Sequence, residues 1–167
     1  MKTLQAVLTI LLLTVVCYPA TFFLRSEQEK VYTFEVKAFH VWQHTFIECE
    51  PGDRIEITAT GQWSAGMGLP PVGPSGYSDR SANSQRAALA NAPLGALVGR
   101  ISQNRFLVGS ACKIEVGPTQ TGELRLCAND DLPSKLGENA FKDNTGTLTV
   151  TVKVLRNHHI QFADWHI

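Results

Sequence analysis

The sequence predicts an all-β protein, an antiparallel β-sandwich behind one hydrophobic N-terminal segment. Three observations predict it. Apolar residues recur with period two in short runs, and clusters of Gly, Pro, Asn and Asp separate the runs. No stretch after residue 26 carries a sustained helical period.

Taken in order, Arg25–Glu29 reads as a polar linker, and Lys30–Ala38 alternates Val31, Thr33 and Glu35 against Tyr32, Phe34 and Val36. Val41–Glu48 is the next strand, and Pro51-Gly52-Asp53 is a turn by its residues. Arg54–Thr60 buries Ile55 and Ile57 on one face. The Gly-, Pro- and Ser-rich stretch Ala65–Asn91 is too long for a mere connection, and Ala87–Ala90 within it suits one helical turn. Leu94–Gln103 reads as a buried strand, followed by Phe106–Val108, Ala111–Val116, Glu123–Ala128 and Thr147–Leu155. About eight strands make a sandwich. Periodicity fits a jelly-roll and an immunoglobulin-like order equally. The tail Asn157–Ile167, which holds three of the five histidines and Trp165, reads as the end of the last strand plus a flap.

The chain divides into residues 1–26 and a single domain over 27–167. The whole chain has 44% hydrophobic and 18% charged residues, and the domain is long enough to bury a core without metal or disulfide staples. The 15 basic and 15 acidic residues cancel and form no basic run, so nucleic acid is not an expected partner. Leu4–Leu24 is uncharged, and its dense part Ala6–Val16 has the length of a signal-peptide core. It also spans a bilayer at helical rise, and Cys17 follows a loose lipoprotein-like run. Anchor, cleaved signal and lipid attachment all place the remainder outside the cytoplasm, membrane-anchored or secreted. Cys112 and Cys127 flank the turn Gly117–Gly122, so a simple hairpin would face them for a disulfide; the alternative is two buried thiols. Cys49 is left over, and no CxxC spacing supports zinc.

Chemistry concentrates at the two ends of one loop. Asn129-Asp130-Asp131 ends one strand, and Asp143-Asn144-Thr145-Gly146 opens the next. Neighbouring strands would bring the clusters together, and converging carboxylate, amide and carbonyl oxygens suit a hard cation such as Ca²⁺. The same residues also suit plain turns. His40 and His44 lack the glutamate and helix of a zinc protease, and Trp42 and Trp63 read as core. Asp130 and Asp143 sit in polar loops rather than the apolar site that keeps a catalytic acid protonated. The reading is therefore binding, not catalysis.

A series of motifs in order, Pro51-Gly52-Asp53, Ile55-x-Ile57-x-Ala59-x-Gly61, Gly73-Pro74-Ser75-Gly76, Gly95–Ile101, Gly122 to Asp130 and Asp143 to Val150, resembles the PA-IL-like galactose-binding lectins over about residues 31–155. The resemblance implies a galactose-binding-domain-like jelly roll and calcium-dependent carbohydrate binding. It implies Ca²⁺ held by the side chains of Asp130, Asp143 and Asn144 and by the backbone carbonyl of Ala65. Another carbonyl would come from the 130–143 loop. A sugar diol would complete the shell, with Asp130, Asp131 and Asp143 among the sugar contacts. Where the family's galactose binder uses His and Gln, this chain has Ser78–Gln85, so Arg80, Asn83 or Gln85 would substitute. The loop between the clusters is longer than in that lectin, through Lys135–Lys142. A shallow polar site binds weakly, so it would work through repetition, on a surface or in a homo-oligomer. The rival reading is a structural or protein-interaction sandwich that binds no sugar.

Overall fold

A computed structural model describes residues 25–159 apart from Met67, Asn83 and Leu136, with side chains from Gln28 to Arg156. Eight strands form two four-stranded sheets. They are β1 (Arg25–Lys37), β2 (Gln43–Cys49), β3 (Arg54–Ser64), β4 (Leu97–Ile101), β5 (Asn104–Leu107), β6 (Ala111–Glu115), β7 (Gly122–Ala128) and β8 (Thr145–His159). One sheet has the order β1-β8-β3-β6 and the other β2-β7-β4-β5, with antiparallel neighbours throughout. This is jelly-roll order, in which every connection but the β4–β5 hairpin crosses between the sheets, so the choice left open by periodicity falls to the jelly roll.

Alternation builds the core. Ile55, Ile57 and Ala59 of β3 face Leu124 and Leu126 of β7 and Leu97 and Ile101 of β4 across the sandwich, joined by Val150 and Val152 of β8; all are buried. Closing the two sheets over this apolar area contributes about 25 cal/mol per Å² buried. Both Trp42 and Trp63 are buried, as the sequence suggests.

Several boundaries differ from expectation. Arg25–Glu29 is strand, not linker: it continues β1 in register with β8, from Arg25↔His159 to Lys37↔Thr147. A ladder of backbone hydrogen bonds needs no apolar side chain, so alternation under-reports it. The buried strand expected from Leu94 begins at Leu97, because Gly95 takes a positive φ of 68° and ends a turn there. Ala87–Ala90 forms bends and an isolated bridge from Ala87 to Asp131 rather than a helical turn. A 3₁₀ turn, Ala140–Lys142, follows instead in the long loop, capped by the Asn139 side chain, which accepts from the Phe141 amide at 3.1 Å.

The hairpin expected to join Cys112 and Cys127 does not exist. β6 and β7 lie in opposite sheets, with Cys112 opposite Ile57 and Cys127 opposite Val98. Cys49, Cys112 and Cys127 are free thiols. Among the described residues no helix is long and apolar enough to cross a membrane. Leu4–Leu24 and Cys17, like the end of the tail from residue 160, lie outside the described residues.

Candidate functional site

The clusters at Asp130 and Asp143 do meet, but not because their strands are neighbours. β7 and β8 belong to different sheets, and the sandwich stacks the end of one over the start of the other. Within the first sheet, Ser64 of β3 pairs with Thr145 of β8, so the next residues, Ala65 and Gly66, run alongside Asn144 and Asp143. Within the second, the ladder continues past β7: the Asn129 amide donates to Ala96 O at 2.7 Å and the Gly95 amide to Asn129 O at 2.9 Å. Asp130 follows at the same pole.

Asn129 fixes that pole. Its side-chain oxygen accepts from the Leu89 amide at 2.8 Å, and its amide donates to the carbonyls of Leu89, Ala92 and Pro93. One buried side chain thus pins the 89–93 loop to the end of β7. On the other side Phe141, fully buried, plugs the long loop into the core. The 3₁₀ turn that carries Phe141 delivers Asp143 at its C-terminal end. The Lys135–Lys142 stretch, which the sequence marks as extra length, therefore positions a site residue.

Asp130 and Asn144 are buried, at 5% and 3% exposure. Asn144 Nδ2 donates to Asp130 Oδ2 at 3.0 Å and lies 3.4 Å from Ala38 O. Asp130 Oδ1 accepts from the Asp131 amide at 2.7 Å. Asn144 Oδ1 is buried with no partner. A buried carbonyl oxygen left so is costly, on the order of 1–3 kcal/mol. Burial raises the Asp130 carboxyl above the ordinary range, and the nearby Asp131 and Asp143 charges raise it further against two opposing hydrogen bonds. Among the described residues no basic side chain pairs with it. Gly66 completes the cradle: at φ 71° its backbone lies so close to Asp143 that a Cβ there would overlap the carboxyl group. Gly146 is held as tightly, since a Cβ would come 2.8 Å from Gln62 O and from Trp63 Cα.

Asp130, Asp143, Asn144 and the Ala65–Gly66 backbone are thus gathered. The donors are two carboxylates, an amide and backbone oxygens, an all-oxygen set of the kind hard cations take. Among the described residues no three His, Cys, Asp or Glu side chains gather as a metal site. The orphaned Asn144 oxygen and the uncompensated Asp130 carboxyl are what a cation would satisfy.

The other expected contacts are placed less centrally. Asp131 is 3.5 Å from the Arg86 guanidinium, which also holds Glu138 at 2.6 Å. Arg86 was not singled out by the sequence, yet it ties the 86–92 loop to the long loop. Arg80 is exposed beside Asp79, and its carbonyl accepts from the Leu94 amide at 2.9 Å. Gln85 is exposed, and Asn83 lies outside the described residues.

No family profile and no curated protein matches the chain. Among solved structures, it is similar to the N-terminal domain of EclA, described as a PllA-like lectin. The TM-score is 0.54 at 23% identity, over 74% of this chain and 95% of that one. The fold is thus that of a PllA-like lectin domain, as the motif resemblance implies. The likeness is one of architecture.

Proposed function

We propose that this is a carbohydrate-binding domain that holds its sugar through Ca²⁺, with the ion on Asp130, Asp143, Asn144 and the Ala65 carbonyl. The observation that carries the reading is the buried, partnerless Asn144 Oδ1 beside a buried carboxylate that no basic side chain among the described residues pairs with. A divalent cation would satisfy both, and its open positions would take a vicinal diol of a galactoside or related sugar. Asp130 and Asp143 could then accept charge-assisted hydrogen bonds from the same hydroxyls. The lectin described for the fold neighbour supports carbohydrate as the ligand class. This reading assigns the site to binding rather than catalysis, in keeping with the lectin described for the fold neighbour.

Calorimetry on the chelator-stripped full chain tests this, with Ca²⁺ titrated first and galactose second. Calcium binding followed by sugar binding is the expected result. Calcium without galactose would reduce the site to a structural ion or redirect it to another glycan. No calcium binding would overturn the reading and leave an interaction module.

A further inference from the structure

The sheet β2-β7-β4-β5 carries a row of basic side chains that only the fold assembles. Arg105 of β5 pairs with Arg100 of β4, Arg100 with Arg125 of β7, and Arg125 with His44 of β2. Directly paired residues share a face, and at a strand spacing of about 4.8 Å the row spans roughly 14 Å. Like charges placed directly opposite one another are destabilising. One carboxylate relieves the row: Glu123, 3.1 Å from Arg125 and 2.9 Å from His44. Arg100 and Arg105 instead stack over the Trp42 ring, at 4.8 and 5.6 Å, and among the described residues neither is paired with a carboxylate. Repulsion is felt: after burial, the charges of Arg125 and Arg105 push the Arg100 guanidinium down.

The row adjoins the candidate site. Arg105 donates to Ala88 O at 3.1 Å, and the Ala88 amide donates to Asp130 O at 2.9 Å. Near its other end is an open cavity lined by Lys37, Phe39, His40, Trp42, His44 and Arg125, with no acidic residue in its wall. Its wall reaches Lys37 and Phe39, the neighbours of Ala38, whose carbonyl lies against the Asn144 amide.

We propose that this face binds the anionic part of the carbohydrate, so that the ligand is an acidic oligosaccharide with one unit at the Asp130 site and its sulfate or carboxylate groups along Arg105, Arg100 and Arg125. The inference rests on the sugar reading above. Continuity with the Asp130 site favours a glycan over other polyanions, and half-exposed Phe39 in the cavity wall supplies apolar surface for a sugar ring.

The test compares β-galactotetraose with its 6-O-sulfated form, in calcium and low salt, on the full chain and on Arg105→Gln and Arg100→Gln. The expected result is binding on the order of tenfold tighter for the sulfated form, the gain shrinking with salt. Either substitution should remove that gain, read in each variant as the ratio of the sulfated sugar's affinity to the neutral sugar's. Arg105 is exposed, so its variant keeps the test valid if Arg100→Gln fails to fold. Equal affinities for the two sugars would overturn this inference and leave the calcium site standing. Equally tight binding of a DNA duplex would overturn the assignment to carbohydrate. Binding of neither sugar would remove the galactoside reading and this inference with it.

Discussion

Asn144 donates its amide to the Asp130 carboxylate at 3.0 Å and keeps its own side-chain oxygen buried without a partner. Asp130 follows β7 and Asn144 precedes β8, strands of different sheets, so the contact fastens the sandwich at one pole while leaving an acceptor unused. The first prediction follows from that arrangement. Ca²⁺ should raise the thermal midpoint of the full chain, by a stabilisation of about 2.7 kcal/mol at a hundredfold excess over Kd. Asp130→Asn should abolish the calcium-dependent rise. Without calcium the same variant should differ little in stability from the parent, because removal of a buried charge is offset by the loss of one of the two acceptors that serve the Asn144 and Asp131 N–H groups. Scanning calorimetry with and without chelator measures both.

Acid should compete with the ion. The Asp130 pKa is raised in the folded state, chiefly by burial. A carboxyl raised above its unfolded value adds stability that is fully present below the unfolded pKa and is lost as pH rises through the folded one. The metal-free protein should therefore lose this contribution on going from acid towards neutral pH. Calcium affinity should run the other way, weakening as pH falls and the carboxyl takes up its proton. Calcium titrations at a series of pH values check the sign; affinity independent of pH would remove Asp130 from the ion.

Gly66 separates cradle from strain. Gly66→Ala places a methyl group against the Asp143 carboxyl in a left-handed backbone, at a cost of about 1–3 kcal/mol, and should weaken calcium binding. Gly137→Ala is the control: φ is 90° there and nothing stands within 4 Å of the added carbon. It should cost stability and leave calcium affinity unchanged. If both variants bind calcium like the parent, Asp143 is not a ligand.

Far from the site, Arg156 holds the buried Asp53 carboxylate at 2.8 and 2.6 Å, and reaches Glu48 O at 3.1 Å. Arg156→Ala strands that carboxylate, and an uncompensated buried charge costs about 3 kcal/mol. Urea unfolding should show the loss while calcium affinity, measured on the folded fraction, stays as it was.

The thiols should be quiet. Burial pushes Cys127 and Cys49 up to about 12 and Cys112 to about 11, so little thiolate exists at neutral pH. Cys49, Cys112 and Cys127 should resist iodoacetamide in the native protein and react once it is unfolded, as peptide mass mapping can show.

Much of the sandwich was legible because half-buried strands write their faces as alternation, as in Arg54–Thr60. The site residues were legible because turn chemistry and ligand chemistry use the same side chains at Asp130 and Asn144. The reason for their meeting was not: a loop between two strands suggests a hairpin, and the jelly roll places β7 and β8 in opposite sheets. The same error produced the expected Cys112–Cys127 pairing. Arg86, and the part Asn129 plays in pinning the 89–93 loop, escaped notice because both hold carbonyls or carboxylates that sequence spacing does not bring near. The basic row was invisible for a related reason. Its members come from four strands, and a chain of zero net charge hides a stripe that exists only once strand order is set.

The pairing of β1 with β8 has a mechanical consequence. β8 starts beside Asn144 and runs 15 residues to His159, which lies opposite Arg25, so the first described residue and the ligand pole are at opposite ends of one ladder. A load between Arg25 and a ligand at Asp130 draws the 13-residue β1 lengthwise along β8. In that direction all the rungs resist together. A load that separates Arg25 from His159 sideways opens them one at a time. The domain should therefore tolerate tension along the line from Arg25 to Asp130 far better than a force that peels Arg25 and His159 apart.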